Sequence, residues 1–494
     1  MECEVLLVKP ADQKNVYGGL DAFQLTAYEP PLWAALLAGC IREAGYRVAV
    51  LDAEIEQLSA EAVAKKIAEL KPLLTIFSVS GTNPSASTQN MLALSKIVNY
   101  CRELEDGHLS LMAHGIHVSA LPERTLKEEQ LDFVCCGEGF YTIPAVAAAL
   151  KANALHPNEL SKIPGLCFRD GDRIAKTAPA PVCTDLDKLP MAAWDLLPMR
   201  KYRAHNWHCF GNLSGRQPYG VIWTALGCPF HCHFCCINTM FNHKPGIRYR
   251  SPENVVQEID YLVNNYQIKN FKIEDELFAL NEQRVTRICE LLIERDYGLN
   301  IWTYGRVDTV TPGMLKIMKK AGINWIAYGF ESGSKKALAH VEKGYDLDKV
   351  GSVVNLTYES GIHIVANFMF GLPEDDYDTM QETLQMAFDI NAEWANFNSV
   401  MAYPGSLLYD DAVKGGARLP KTWQGYSQYS ADCLPMDTKH LRAEEVVGFR
   451  DYAFQAYFTN PRYLNHIENL FGIKTVEHIQ EMTSHSLSRN NKKY

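Results

Sequence analysis

Strand-like apolar runs and amphipathic helical stretches alternate twice along this 494-residue chain, once over residues 4–150 and again from Tyr219 onward. A strand that is followed by a helix before the next strand joins its neighbours in parallel, because a parallel pair needs a crossover long enough to hold that helix. Two parallel α/β units in series are therefore expected. Composition agrees, since 47% hydrophobic and 21% charged residues describe an ordinary globular chain with room for two or three cores. The formal charge of −10, with Lys and Arg dispersed, leaves no basic footprint for nucleic acid. No apolar run reaches membrane-spanning length and the first strand starts almost at Met1, so neither a membrane span nor a leader is expected. Fourteen scattered cysteines complete the argument for a reducing cytoplasm.

In the first unit, strands are expected at 4–10, 47–52, 73–80, 109–113 and 132–136, with helices at 31–44 and 87–104. Open sheets of this kind bind ligands beyond the carboxyl ends of their strands. Here those ends are 11–25, 80–83, 114–119 and 137–139, all supplied with glycine or small hydroxyl residues that permit close backbone approach. His114 and His117 lie on one such end and are expected to pack or hydrogen-bond locally. Residues 151–217 read as a linker with a small hairpin near Gly165, marked by its Asp-Gly turn.

The second unit, 218–409, offers six strands near 221, 270, 300, 325, 362 and 394 with helices between them, the makings of a partial (β/α)6 barrel. Function in α/β barrels collects at the strands' carboxyl ends. Residues 410–494 read as mainly helical, with Val446, Phe449, Ala453 and Tyr457 on one face as core, and the basic tail from Ser486 is expected to fray.

Just after the first barrel strand stands Gly-Cys-Pro-Phe-His-Cys-His-Phe-Cys, which places Cys228, Cys232 and Cys235 in CxxxCxxC spacing. Three thiolates can hold an iron–sulfur cube and leave one iron without a protein ligand, and an open position admits a substrate. A zinc site completed by Cys236 or His231 is the alternative.

This spacing, with Phe234 before the third Cys, resembles the radical S-adenosylmethionine (SAM) superfamily. The stretches His114-Gly-Ile-His-Val-Ser-Ala-Leu-Pro-Glu and Asp132-Phe-Val-Cys-Cys-Gly-Glu-Gly are similar to GGxHxSxxPE and DxVxxGEG of its branch with a cobalamin-binding domain. The resemblance implies a flavodoxin-like, doubly wound cobalamin domain over 1–150, with Ser80, Gly81, Thr82, Gly115, Val118, Ser119, Gly137 and Glu138 about cobalamin. No DxHxxG is present, so no histidine is expected on cobalt. In the barrel it implies a [4Fe-4S] cluster on the three cysteines and SAM held by Phe234, Glu274, Asp275, Asn281, Arg306, Glu331 and Ser332. Glu276 is the alternate to Glu274, and Leu226 stands where many relatives carry Arg.

The activity that this resemblance implies is methylation of an unactivated carbon in a small molecule. A deoxyadenosyl radical would abstract hydrogen, methylcobalamin would supply the methyl group, and an external flavodoxin or ferredoxin would supply electrons. Radical cyclisation or rearrangement without methyl transfer is the runner-up. A non-catalytic cobalamin or redox sensor is a third reading, which leaves Arg306 and Glu331 without a purpose. General acid, general base and substrate-binding residues are not legible from the sequence.

Overall fold

The computed structural model describes residues 3–12, 16, 26–80, 84–104 and 109–490. Its N-terminal sheet contains β1 (Val5–Lys9), β2 (Val48–Asp52), β3 (Leu74–Ser78), β4 (Leu111–His114), β5 (Phe133–Cys135), β6 (Leu166–Asp170) and β7 (Arg173–Lys176), in the order β2-β1-β3-β4-β5-β6-β7. The first five strands are parallel, as expected, while β6 and β7 run antiparallel at the edge. The hairpin in the linker thus extends the first sheet. Both faces of this sheet are covered. Val5 and Leu7 join one core with the helix Leu32–Glu43, whereas Leu6 and Val8 join another with Ala60–Leu70 and Met91–Glu103. Burial on both faces is why these strands read as unbroken apolar runs.

The second sheet has the order β15-β14-β13-β12-β11-β8 and is parallel throughout, an open six-stranded barrel whose gap lies between β8 and β15. Its strands are β8 (Tyr219–Ile222), β11 (Asn270–Ile273), β12 (Asn300–Gly305), β13 (Ile323–Glu331), β14 (His363–Phe370) and β15 (Trp394–Ser399). A two-stranded ribbon, β9 (Ala225–Leu226) with β10 (Arg248–Tyr249), brackets the cysteine loop.

The C-terminal region is helical from Ala443 to Ser484, as expected, and has one helical turn, Trp423–Tyr426, between Lys414 and Ala443. The helix Ala443–Phe458 buries Val446, Ala453 and Tyr457, and the Tyr457 hydroxyl donates to the Ala392 carbonyl at 2.6 Å. As far as Asn490 the tail is anchored where fraying was expected. Arg489 is 2% exposed and pairs with Asp451 at 2.9 Å while also donating to the Gln428 and Ser430 carbonyls. No helix among the described residues is long and apolar enough to cross a membrane, and all fourteen cysteines are free thiols.

His114 and His117 are both buried. His114 Nε2 donates to the Gly137 carbonyl at 3.0 Å, and His117 Nδ1 lies 3.0 Å from the Thr88 hydroxyl with its ring edge-on to Trp423. Burial pushes His114 down to about 4 and His117 to about 3. A histidine depressed in the folded state takes up its proton first in the unfolded chain, so stability falls as pH drops below about 6.5. Each ring is expected to contribute a loss of about 2 kcal/mol between pH 7 and 5. Denaturant unfolding at the two pH values checks this, with His117→Gln reducing the difference. Gly115→Ala should also destabilise the fold by about 2 kcal/mol or more, read by thermal unfolding. There φ is +140° and an added Cβ would lie 2.3 Å from the Val79 carbonyl oxygen.

Candidate active site

The cysteine loop is held open from beneath by the acidic run that closes β11. Asp275, 1% exposed, accepts the Thr224 and Ala225 N–H groups and the Thr224 hydroxyl. Glu276 accepts the Gly227 N–H at 3.2 Å. Gly227 has φ +93° and passes so close to the Gly246 carbonyl that an added Cβ would lie 2.4 Å from its oxygen. Within the loop, the Cys235 N–H donates to the Cys232 carbonyl at 2.9 Å and the Gly246 N–H donates to that of Cys228 at 3.0 Å. Burial pushes the Cys228 thiol up, with Glu276 and Cys232 adding to the rise and Lys343 opposing it. Three soft thiol donors near enough to influence one another suit an iron–sulfur cluster.

The residues expected about SAM divide into two groups. Phe234 and Glu331 line the barrel lumen. Glu331 sits at a register shift of β13 with φ +61° and accepts Lys343 Nζ at 2.7 Å. Glu274 lines a second, smaller cleft and pairs with Lys272 at 2.5 Å. Asp275 clamps the loop as described, and Asn281 caps the helix Glu282–Arg295 by accepting the Arg284 N–H at 3.0 Å. Ser332 Oγ lies 3.0 Å from Thr383 Oγ1 and accepts the Ser334 N–H. Arg306, 5% exposed, forks onto Asp308 at 2.7 and 3.1 Å, with its guanidinium 3.9 Å above the Phe230 ring. Lys343 escaped the sequence reading. Its only signal there is a charge in the loop after the helix that follows Glu331, and it stands between Glu331 and the cysteines.

Around the N-terminal strand ends, the Ser119 hydroxyl accepts the Gly137 N–H at 3.0 Å and reaches Met240 Sδ at 3.8 Å. Glu138 accepts the Cys183 N–H and pairs with Arg248 of β10, each at 2.7 Å. Val118 is fully buried, and Gly115 fits beneath the Val79 carbonyl. These residues fasten the first sheet to the segment following the cysteines. Gly81 and Thr82 lie outside the described residues.

Two cavities meet here. The barrel lumen encloses about 760 Å³. The other, about 60 Å³ in its described part, lies at the carboxyl ends of β1 and β3, between Lys9, Ser80 and Asn90 of the first sheet and Val221 and Glu274 of the barrel. β1 pairs with β2 on one side and β3 on the other, so this cleft is the topological switch point where such sheets bind ligands. Its wall mixes the Ser80 hydroxyl and the Gln89 and Asn90 amides with the charged Lys9, Asp12, Glu29, Glu54 and Glu274. The adjoining segments 13–15, 17–25 and 81–83 lie outside the described residues.

Removing the Asp275 carboxylate leaves two buried backbone N–H groups without an acceptor, a cost of about 1–3 kcal/mol for each unsatisfied group. Asp275→Ala should therefore lower the unfolding midpoint and reduce the iron retained after anaerobic reconstitution. Asn281→Ala, which removes a helix cap, should lower stability by about 1 kcal/mol and leave iron content unchanged.

Family models for the B12 binding domain and the radical SAM superfamily match residues 22–147 and 224–387, respectively. An uncharacterized methyltransferase of Pyrococcus horikoshii is 29% identical over 90% of each chain. The anaerobic magnesium-protoporphyrin IX monomethyl ester cyclase of Cereibacter sphaeroides is 28% identical over 77% of this chain and 60% of its own. Among solved structures, the radical SAM methyltransferase TsrM of Kitasatospora setae superposes with a TM-score of 0.68 at 18% identity, covering 94% of this chain and 90% of that one. This chain thus joins a B12 binding domain on its first sheet to a radical SAM domain on the barrel that carries the cysteine loop.

Proposed function

We propose that the enzyme methylates an unactivated carbon of a small molecule. The observation that carries this reading is the shared interior of the two domains. Gln89 lines both cavities, and barrel residues Val221 and Glu274 form one wall of the cleft at the N-terminal switch point. When bound, the cluster with SAM supplies a hydrogen-abstracting radical, and cobalamin supplies the methyl group. Cys228, Cys232 and Cys235 would hold the cluster. Phe234, Glu331 and Lys343 would shape the SAM end of the lumen, while Arg306 and Asp275 hold the surrounding loops in place. Ser80 and the switch-point amides would meet cobalamin, with His114 and His117 turned to protein partners rather than to cobalt. The burial of Lys343 beside Glu331 keeps a compensated charge pair at this rim, where an unpaired charge would be costly.

An external single-electron donor such as a flavodoxin or ferredoxin would reduce the cluster. The free thiols and the absence of a membrane-spanning helix among the described residues fit a cytoplasmic setting.

The test is mass analysis of SAM products from the reconstituted enzyme with candidate substrates. Methylation is expected to give deoxyadenosine and S-adenosylhomocysteine in matching amounts, with the substrate gaining one methyl group. Substrate consumption with deoxyadenosine alone would instead establish the cyclisation reading, which the cyclase relative supports. Iron analysis gives a separate check. Alanine at Cys228, Cys232 or Cys235 should abolish the cluster absorbance, and Cys236→Ala should retain it.

A further inference from the structure

Among the described residues, the lumen wall is aromatic and, apart from paired groups, uncharged. Along β15 the side chains that line it are Trp394, Asn396 and Asn398, in register with Val365, Asn367 and Met369 of β14. Trp302 and Tyr304 of β12 line it as well. Most of its polar groups are spent on the protein. Trp394 Nε1 donates to Asn396 Oδ1, Asn396 Nδ2 to Asn367 Oδ1, and Asn367 Nδ2 to the Tyr328 carbonyl, at 2.9, 2.9 and 3.0 Å. Gln428 is bound at both ends to the backbone of Ser399. Polar groups on the wall without a hydrogen-bond partner among the described residues include the Asn398 amide and the Tyr304 hydroxyl.

The charges on the wall are answered within the protein. Among the described residues, Arg450 is the one Arg or Lys that lines the lumen, and it pairs with Asp451 at 2.9 Å while donating to the Phe397 carbonyl at 2.8 Å. Asp451 is also held by Arg489 at 2.9 Å. Glu331 is paired with Lys343 at 2.7 Å, and His205 lies 3.5 Å from Glu29. A substrate carboxylate or ammonium entering this space would lose its hydration without gaining a counter-ion, which is costly for a buried charge. A flat ring system, by contrast, finds indole and phenol surfaces suited to stacked or edge contacts.

Resting on the methylation reading above, we propose that the substrate is an electrically neutral, planar aromatic molecule. Its rings sit against Trp302, Tyr304 and Trp394, and a carbonyl or amide edge is taken by the Asn398 amide. The volume of about 760 Å³ falls within the range of drug-sized ligand sites, with Phe234 and Glu331 marking the part that SAM takes.

The probe pair is acridone-4-carboxamide and acridone-4-carboxylate, matched in shape and differing in charge, titrated calorimetrically into the full-length reconstituted enzyme with SAM present. The carboxamide is expected to bind at least tenfold more tightly than the carboxylate. Asn398→Leu should weaken the carboxamide about tenfold without changing SAM affinity, and Asn398→Arg should reverse the preference. Equal or tighter binding of the carboxylate by the unaltered enzyme would overturn the neutral assignment. Failure of both probes to bind would overturn the aromatic one, and an Asn398→Leu protein that binds the carboxamide unchanged would remove Asn398 from the site. Because binding is read without turnover, these results bear on the substrate class alone, while methyl transfer stands or falls on the product ratio.

Discussion

The fully buried ammonium of Lys272 ties the two domains together. Its Nζ lies 3.1 Å from Glu29 Oε2, on the loop leading into the first helix of the N-terminal domain, and 2.5 Å from Glu274 Oε2 on its own barrel. Burial pushes Glu29 up, but Lys272 and His205 outweigh it and hold the carboxyl at about 2. Burial pushes Glu274 up to about 7, with the neighbouring Glu29 adding to the rise and Lys272 opposing it. The network continues into the first sheet, where Lys9 donates to the Glu29 carbonyl at 3.1 Å and pairs with Glu54 and Asp52. Stranding one member of a buried pair costs about 3–5 kcal/mol, so this line of charges fixes how the strand ends of one sheet face those of the other.

That arrangement gives each carboxylate of the 274–276 run separate work. Glu274 faces the interdomain cleft, Asp275 holds the strand that feeds the cysteine loop, and Glu276 holds the glycine just before Cys228. Burial pushes Glu276 up to about 8, and the Gly227 N–H that it accepts works against that rise. Three adjacent acids would repel one another on an exposed loop. Here backbone N–H groups and a single lysine answer them individually.

Parallel pairing and both α/β units were legible because hydrophobic period and helix–strand alternation are local signals. The cysteine loop was legible for the same reason, its donors lying within eight residues of one another. Electrostatic partners were not. Lys272 and Glu29 are separated by 243 positions, Tyr202 and Asp52 by 150, and Arg489 and Asp451 by 38, distances over which a sequence pattern shows only isolated charges. Asn281 and Ser332 carry the residue types that a SAM site would use, yet helix capping and a hydroxyl contact with Thr383 employ those types equally well. The tail was read as frayed because it is polar and basic. Its arginine is buried because the wall it closes contains an aspartate.

The tail also explains how an uncharged lumen can be closed by a charged helix. Arg450 and Asp451 stand side by side on the helix Ala443–Phe458, where lumen-lining positions also include Tyr452 and Phe454. Alone, the pair would leave one Asp451 oxygen and part of a guanidinium seeking water. Arg489 takes up the carboxylate from the other side, and the Phe397 carbonyl takes up Arg450, so the polar demand is met by protein groups. Ser486 and Leu487, just before Arg489, then complete the wall. Radical chemistry benefits from a site that excludes water and presents no competing polar group to the reacting carbon. Among the described residues that condition is met by pairing the charges at the edge of the lumen, Arg450 with Asp451 and Glu331 with Lys343.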